Sequence, residues 1–201
     1  MKSYPSIDKA IQGSYPVYAF DKLDGSNIRA EWTPKRGFDK FGTRKRLLDP
    51  NEEPLGEAVR LILEDSEELE RRLRTLRAQR VTCFFEFFGD NSFAGNHEDE
   101  EHRVVLFDID VYKKGLMGPK DFIKFTDGLN VPELVHHGNA NTDFVLGVQN
   151  GTIPGVTFEG VVCKSATPKG LVKMFKIKSR AWIDRLKNKC GDDEALFNRL
   201  L

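Results

Sequence analysis

Residues 22–27 read Lys-Leu-Asp-Gly-Ser-Asn, and no other stretch indicates the fold of this chain as clearly. An apolar run at residues 15–20 leads into the lysine, and the pair Asp24-Gly25 is typical of a turn between two strands. The pattern predicts strands over residues 17–22 and 27–32, joined as a hairpin. A lysine at the end of a buried strand, followed by an acid and a glycine, is placed where an amine can take part in covalent chemistry.

Net charge predicts no class of partner, because 31 basic and 31 acidic side chains cancel over the 201 residues. Their distribution is more informative. Nearly every charged side chain between residues 164 and 189 is basic, and a second basic cluster lies between residues 35 and 46. Two such clusters in a neutral chain indicate one face that meets phosphate, and a solvated lysine-rich surface is the alternative. The length suits either one compact domain or a core domain with a small appendage.

The cysteine pattern and the hydropathy indicate the compartment. Cys83, Cys163 and Cys190 lack the paired spacing of a metal site and are expected to be small buried residues in a reducing environment. The chain shows neither an N-terminal apolar segment of signal length nor an apolar run near the roughly 20 residues of a membrane span. A cytoplasmic protein is therefore expected.

Helices and paired strands alternate irregularly along the chain. Helices are predicted over residues 6–13, over residues 52–80 with a break at Asp65-Ser66, from Pro119, from Thr142, and over residues 180–201 with a break at Gly191. Further strands are predicted over residues 81–88, 103–112, 157–164 and 171–178. Hairpin-like pairs of strands with flanking helices favour an α+β domain with mainly antiparallel sheets.

Lys22 needs help to act as a nucleophile, because a free lysine amine has a pKa near 10.4 and is a cation at neutral pH. Burial or neighbouring positive charge lowers that pKa. Lys176 and Lys178 alternate with Phe175 and Ile177 and therefore share one face of a strand. Two lysines directed into one pocket would supply the positive charge and would suit a strongly anionic ligand. An exposed amphipathic strand at a sheet edge is the alternative for this pair.

Two glutamates stand in unusually apolar surroundings. Glu86 lies within Phe-Phe-Glu-Phe-Phe, and Glu159 is followed by a glycine and an apolar run. A buried carboxylate is costly without a partner. Each glutamate is therefore expected to accept a hydrogen bond from a hydroxyl group or to bind a hard cation such as Mg²⁺. The polar outer face of an alternating strand is the other interpretation. Lys164 lies five residues after Glu159, and a bend at Gly160 would bring both to one site.

Taken in chain order, these segments resemble the signature motifs of the covalent nucleotidyltransferases, which include polynucleotide ligases and mRNA capping enzymes. The matching segments are residues 22–27, Arg44 in Phe-Gly-Thr-Arg, Glu86, Phe107 in Phe-Asp-Ile, residues 159–164 and residues 176–178. The Ser26-Asn27 ending is similar to ATP-dependent RNA ligases, and in particular to the phage-type enzymes that seal nicks in duplex RNA. The resemblance implies the fold of a ligase adenylation domain.

The resemblance also implies a reaction. Lys22 would attack the α-phosphate of ATP to give a lysyl-AMP intermediate and pyrophosphate, with Lys176 and Lys178 as further catalytic residues. AMP would then pass to the 5′-phosphate of an RNA end, and a 3′-hydroxyl would displace it and seal the break. Mg²⁺ or Mn²⁺ would assist, and Glu159 would bind the metal.

Several residues would bind the nucleotide in this scheme. Glu86 would hold a ribose hydroxyl, and Phe107 would stack on the adenine. Asn27 and Arg44 would contact the nucleotide or the 5′-phosphate of the RNA. The remaining members of the predicted nucleotide-binding set are Lys22, Asp24, Lys164, Lys176 and Lys178.

The resemblance divides the chain into a nucleotidyltransferase core over residues 1–180 and a short helical tail over residues 181–201. Because 23 residues follow Lys178, no full C-terminal domain is expected, and a helper domain or subunit would strengthen the grip on RNA. Phe85 stands where relatives often carry glycine. Four alternatives stay open. Two are a DNA ligase adenylation core, against which Asn27 argues, and a GTP-using capping enzyme, against which the short chain argues. The others are a non-catalytic nucleic-acid-binding module with the same fold and an adenylyltransferase acting on another substrate.

Overall fold

The computed structural model of the protein describes residues 1–7, 16–90, 97, 99–167 and 170–201. Within these residues the chain forms nine strands and six helices. The strands are β1 (Pro16–Asp21), β2 (Ser26–Thr33), β3 (Gly37–Thr43), β4 (Val81–Phe88), β5 (Arg103–Val111), β6 (Gly115–Leu116), β7 (Leu134–Asn139), β8 (Gly160–Ala166) and β9 (Val172–Lys178). The helices are α1 (Glu57–Glu64), α2 (Ser66–Thr75), α3 (Pro119–Phe125), α4 (Thr142–Gln149), α5 (Arg180–Cys190) and α6 (Glu194–Leu200). The helix predicted over residues 6–13 falls largely outside the described residues.

The strands form two antiparallel sheets, one in the order β7-β1-β8-β9 and one in the order β3-β2-β4-β5-β6. The prediction of a mainly antiparallel α+β domain is therefore confirmed. β1 pairs with β7 and β8, so a strand from the start of the chain lies in the middle of a sheet formed by its second half.

The strands on either side of Asp24-Gly25 do not form the predicted hairpin, because β1 and β2 belong to different sheets. The amide of Lys22 donates to the carbonyl of Gly160 at 2.9 Å, which keeps the beginning of the segment on the four-stranded sheet. Gly25 lies against the five-stranded sheet, where a Cβ would come within 2.4 Å of the carbonyl oxygen of Phe87. The Asp-Gly pair is thus part of a short crossing between sheets, which the local turn signal alone does not distinguish from a hairpin.

Each sheet packs one face against helices. The five-stranded sheet directs residues such as Ile28 and Cys83 into a large core shared with α1, α2 and α3. The four-stranded sheet directs residues such as Val17 and Cys163 into a smaller core with α4. Because side chains alternate along a strand, the intervening residues lie on the opposite faces of the two sheets. Residues from these opposite faces border a common cavity.

Most other predicted elements are present with small shifts at their ends. The long helical stretch is interrupted at Asp65, giving α1 and α2, and the C-terminal helices separate around Gly191. Asn141 caps α4 by accepting a hydrogen bond from the amide of Phe144, so the helix starts one residue after its cap and Thr142 is not the capping residue. The sequence does not predict β3 or β7, and β7 contains no buried residue that would produce a hydrophobic pattern. No helix in the described part of the chain is long and apolar enough to cross a membrane.

Candidate active site

A cavity of about 420 Å³ lies between the two sheets. This volume is in the range of sites that bind small ligands. The predicted site residues that line the cavity are Lys22, Asp24, Asn27, Arg44, Glu86, Phe107, Glu159, Lys164, Lys176 and Lys178. The fold therefore brings all of the matching segments to one place, while the role of each residue stays a prediction.

Strand alternation separates the polar residues of these segments from their apolar neighbours. On β9, Lys176 and Lys178 line the cavity, whereas the residues that alternate with them are buried in the core beneath α4. On β4, Glu86 lines the cavity, whereas Phe85 and Phe87 enter the larger core. An acid that is surrounded by aromatic residues in sequence therefore leaves the aromatic core in space.

The bend predicted at Gly160 is present. Gly160 has a φ angle of 129°, which residues with a side chain rarely adopt, and a Cβ there would lie 2.1 Å from the carbonyl oxygen of Ile177. The strand predicted from residue 157 consequently begins at Gly160, and Glu159 precedes it. Glu159 and Lys164 line the same cavity, which the regular alternation of one strand would not allow for residues five positions apart.

Glu159 is the centre of a buried charge cluster. Its Oε2 accepts a hydrogen bond from Nζ of Lys22 at 2.8 Å, and its Oε1 accepts one from Nζ of Lys178 at 2.6 Å. The Glu159 side chain is 4% exposed, so these charge-assisted bonds replace its contacts with water. Lys178 also lies over the ring of Trp182, with Nζ 3.3 Å from the ring centroid. The cluster fixes the positions of both lysines.

The two lysines differ in pKa. Burial favours the neutral amine of Lys22, but the carboxylates of Glu159, Glu86 and Asp24 together outweigh burial and raise the pKa of Lys22 above its ordinary value. Burial is the largest effect on Lys178, whose pKa is lowered to about 8. The expectation that burial and positive neighbours make Lys22 a neutral amine does not hold in this arrangement, because three acids surround it. Lys22 is held as an ammonium as long as Glu159 is its partner.

The acids around Lys22 also influence one another. Burial raises the pKa of Glu86 to about 7, and the charges of Glu159 and Asp24 add to the rise. Burial and the charge of Glu159 raise the pKa of Asp24, whose Oδ2 atom is buried and has no hydrogen-bond partner in the described part of the chain. Carboxylate oxygens are the ligands that Mg²⁺ and Mn²⁺ prefer, so these residues fit a divalent cation. No group of three His, Cys, Asp or Glu residues among those described is arranged to hold a metal, so phosphate oxygens or water would complete its coordination.

A buried network that the sequence does not predict holds Lys164. Its Nζ donates to the carbonyl oxygen of Phe107 at 2.8 Å and to Oδ2 of Asp108 at 3.0 Å. The hydroxyl of Tyr4 donates to the same Asp108 oxygen at 2.8 Å, and the Tyr4 ring packs edge-on against Phe107. Tyr4 and Asp108 thus hold the lysine and the predicted adenine-stacking residue. Asp108 lies next to a predicted site residue in sequence, whereas no sequence motif marks Tyr4.

Two further predicted residues complete the wall on the side of the five-stranded sheet. Asn27 lies opposite Glu86 on neighbouring strands, and its Oδ1 atom is buried without a hydrogen-bond partner. Arg44 directly follows β3 and is exposed. The cavity therefore presents an acceptor and a cation from this sheet, next to the carboxylate of Glu86.

The C-terminal helices border the cavity as well. Nζ of Lys176 donates to the backbone oxygen of Leu201 at 2.7 Å. Trp182 of α5 and both Asn198 and Arg199 of α6 line the cavity. Residues 181–201, predicted as a tail, therefore contribute to the wall of the site. No motif marks them, since their apolar residues show only the spacing of two helices that pack on each other.

Comparison with known proteins agrees with this geometry. A family model described as RNA ligase matches residues 16–178, which is most of the chain. The chain belongs to the RNA ligase family. The matched part of the chain extends from β1 to β9 and includes every predicted site residue. No curated protein matches the chain in sequence.

Solved structures of the RNA ligase from Naegleria gruberi have the same fold as this RNA ligase family member. The structure with PPi aligns at a TM-score of 0.66 and 16% identity, covering 87% of this chain and 52% of that chain. A mutant with ATP and Mn aligns at a TM-score of 0.65 and 15% identity, covering 86% and 51%. The chain thus spans about half the length of these ligase structures. The predicted family and the predicted adenylation-domain fold are confirmed.

Proposed function

We propose that this chain is the adenylation core of an ATP-dependent RNA ligase that works through a lysyl-AMP intermediate. The observation that supports this best is the amine of Lys22, which lies in the cavity between the sheets and 2.8 Å from Glu159. The family match supports RNA as the substrate class. The Naegleria ligase has been solved with ATP and Mn and with AMP and Mn, which supports ATP and a divalent cation for this chain.

In the proposed first step the neutral amine of Lys22 attacks the α-phosphorus of ATP. A nitrogen–phosphorus bond forms, the bond from phosphorus to the bridging oxygen breaks, and pyrophosphate leaves. The amine gives one proton to solvent before the attack and another after it. Lys176 and Lys178 line the same cavity and place positive charge where negative charge develops on the phosphate oxygens.

The same wall of the cavity offers contacts for the nucleoside. Phe107 presents a ring for stacking on adenine, and Glu86 presents a carboxylate for a ribose hydroxyl. Asn27 offers a buried acceptor atom, Oδ1, which has no hydrogen-bond partner among the described residues. Asp24, Arg44 and Lys164 complete the proposed nucleotide-binding set.

Glu159 is the residue we assign to Mg²⁺ or Mn²⁺, with the unpaired Oδ2 atom of Asp24 in the same acidic cluster. The cation, when bound, offsets negative charge on the phosphate oxygens. Glu159 has a second effect through Lys22. Any partner that draws this carboxylate away removes the strongest influence that raises the pKa of Lys22, and burial then favours the neutral amine.

The later steps join RNA ends. The adenylate passes from Lys22 to a 5′-phosphate, and a 3′-hydroxyl then attacks that phosphate and releases AMP. We infer a nick in duplex RNA as the substrate and RNA repair as the setting, with a helper domain or subunit extending the RNA contact. Arg36, Lys40 and Arg46 of the basic cluster at residues 35–46 are paired with acids of the protein, so phosphate contacts from this cluster are expected mainly from Lys35, Arg44 and Lys45. Buried free thiols are compatible with the proposed cytoplasmic location.

One experiment tests the core of this proposal. The protein is incubated with Mg²⁺ and ATP labelled at the α-phosphate, and the denatured chain is examined for acid-labile label. We expect label on the wild type and none on Lys22→Ala. Wild-type protein without label would leave the non-catalytic nucleic-acid-binding module as the better interpretation. Nicked duplexes with RNA or DNA on either side of the break then distinguish an RNA ligase from a DNA ligase core.

A further inference from the structure

Trp182 of α5 contacts the proposed active site, although it lies beyond the residues that the family model matches. Its side chain is buried, and the Nζ atom of Lys178 lies 3.3 Å from the centroid of its ring. A cation this close to the face of a desolvated indole ring is held by the electrostatic attraction between them. The same Nζ atom donates to Glu159. The indole ring is therefore the surface on which Lys178 rests while it pairs with Glu159.

The indole N–H of Trp182 also influences the carboxyl group of Asp24, and both residues line the cavity. Burial and the charge of Glu159 raise the pKa of Asp24, and the indole N–H opposes that rise, as a donor facing a carboxylate does. The Nε1 atom of Trp182 and the Oδ2 atom of Asp24 are both buried, and neither makes a hydrogen bond of normal geometry. Unpaired buried polar groups are unfavourable, so a donor and an acceptor buried beside the same cavity are stabilised by an interaction between them.

The start of α5 holds Trp182 firmly beside Glu159. Ser179 is the N-cap of the helix, and its hydroxyl oxygen accepts a hydrogen bond from the amide of Trp182 at 3.1 Å. The amide of Ser179 donates to the carbonyl of Glu159 at 3.0 Å. Apolar residues of α6, including Leu196 and Leu200, pack against the cluster that contains Trp182. The indole is thus fixed by the same short segment that positions the central carboxylate of the site.

We propose that Trp182 is a positioning residue for adenylylation, whose ring supports Lys178 and whose N–H orients Asp24 next to Lys22. The proposal rests on the lysyl-AMP chemistry proposed above and adds to it a residue from the C-terminal helices. Trp182 itself exchanges no proton or electron pair with the nucleotide. Trp182 acts by placing Lys178 and Asp24 around the amine of Lys22. Its loss is therefore expected to change the rate of lysyl-AMP formation more than the affinity for ATP.

Two variants separate the contributions of the ring and the N–H. Trp182→Phe keeps an aromatic face under Lys178 and removes the donor, whereas Trp182→Leu removes both. We expect the single-turnover rate of lysyl-AMP formation to fall about 10-fold for Trp182→Phe, because the buried carboxyl group of Asp24 loses the nearby indole donor. For Trp182→Leu we expect a fall of about 100-fold, as for misplaced catalytic groups. The apparent KM for ATP is expected to change less than about 3-fold in both variants.

Trp32→Phe is the matched control. Trp32 is the other tryptophan of the chain, it is equally buried, and its Nε1 atom is also without a partner, but it lies in the large core and does not line the cavity. This control is expected to label at the wild-type rate once its folded fraction, measured by circular dichroism, is taken into account. Wild-type rates per folded molecule in both Trp182 variants would overturn the positioning role. Wild-type protein without any label would instead refute the lysyl-AMP function itself.

A second measurement does not depend on activity. In Trp32→Phe the only indole fluorophore is Trp182, because the chain has two tryptophans. We expect ATP added without a divalent cation to change the intensity or the emission maximum of this fluorophore, since the phosphates place negative charge beside Lys178, which lies on the face of the ring. An unchanged spectrum at ATP concentrations that saturate binding would contradict the proposed contacts.

Discussion

The Nζ atom of Lys22 lies 2.8 Å from Oε2 of Glu159, although the two residues are 137 positions apart in the chain. The pair keeps the proposed nucleophile charged, because the neighbouring carboxylates together raise the pKa of the lysine against the effect of burial. A charged amine has no lone pair with which to attack phosphorus. We therefore expect Lys22 to stay protonated until Glu159 has another partner.

Removal of the Glu159 carboxylate should affect both stability and chemistry. In Glu159→Ala, Lys22 and Lys178 lose their shared counter-ion in a buried cluster, so we expect a loss of about 3 kcal/mol in the free energy of unfolding. Adenylylation should fall below detection, because the proposed metal ligand is lost. Urea titration and α-phosphate labelling measure the two effects. Glu67→Ala, at an exposed position on α2, serves as the control, and equal labelling of the two variants would disprove the role of Glu159.

The lysines of β9 offer a comparison within one strand. Lys176 lines the cavity, whereas Lys173 is exposed and is not among the cavity residues. We expect Lys176→Ala to slow lysyl-AMP formation by about 100-fold or more, since a fixed donor to developing phosphate charge is lost. Lys173→Ala should stay within about twofold of the wild type, as a surface change distant from the site. The rate of label incorporation at saturating ATP decides between them, and similar rates would mean that the cavity lysine has no special part in the step.

Gly25 should be intolerant of a side chain. A Cβ at this position would lie 2.4 Å from the carbonyl oxygen of Phe87 and 2.8 Å from Cβ of Phe88. Because the contacts include backbone, Gly25→Ala is expected to cost about 2 kcal/mol of stability and to move the neighbouring Lys22, with slower labelling as a result.

Gly118→Ala is the control for this substitution. A Cβ on Gly118 would meet its nearest neighbour, Cβ of Ala166, at 3.8 Å, which is an ordinary contact. We expect a stability change within about 0.5 kcal/mol and unchanged labelling. Comparable unfolding midpoints for Gly25→Ala and Gly118→Ala would contradict this prediction. They would mean that the segment between the two sheets can adjust to a Cβ at residue 25 at little cost in stability.

The stability of the protein should depend on pH through His102. Its Nδ1 atom lies 2.7 Å from Oε2 of Glu57 and its Nε2 atom 2.8 Å from the carbonyl oxygen of Asp90, so both nitrogens face acceptors and the imidazolium is satisfied. Burial lowers the pKa of His102, but the Asp90 carbonyl and Glu57 outweigh it and raise the value above 6.5. The hydrogen bond from His102 lowers the pKa of Glu57 below 4.5, against a smaller effect of burial.

The signs of these shifts define the pH window. The stabilising contribution of His102 is fully present below pH 6.5, which is the ordinary pKa of a histidine. It disappears as the pH rises through the raised pKa of His102 in the folded protein. The contribution of Glu57 is present above pH 4.5 and disappears as the pH falls through the lowered pKa. We expect the free energy of unfolding of the wild type to exceed that of His102→Gln by at most about 1 kcal/mol, since the ion pair between His102 and Glu57 is partly exposed. The difference should be greatest between these two values and shrink toward alkaline pH, as measured by urea titration. A difference independent of pH would rule out the imidazolium pair.

Many helices and strands of this fold could be predicted because local sequence patterns correspond to the elements that the chain forms. The aromatic run around Glu86 predicts β4 to the residue, and the apolar spacing with a break at Asp65 predicts α1 and α2. Pairing across the sheets is different. Asp24-Gly25 satisfies the local preference for a turn, but the partners of β1 are β7 and β8, and only the tertiary structure determines that choice.

The site shows the same division between local and long-range information. The predicted residues lie in motifs with recognisable composition, and the structure places all of them around one cavity. Tyr4 and Trp182 belong to segments without such motifs, since a tyrosine or a tryptophan in a sequence more often indicates packing. The pKa of Lys22 could not be predicted either, because it depends on how close Glu86 and Glu159 approach in three dimensions.

The four residues that lead from β1 to β2 carry one more consequence. Lys22 lies where the chain passes from one sheet to the other, and it borders the cavity between them. Glu86 and Phe107 belong to the five-stranded sheet, whereas Lys176 and Lys178 belong to the four-stranded sheet. We therefore expect a ligand that contacts both sheets to be better placed for reaction with Lys22 than a ligand that contacts only one of them.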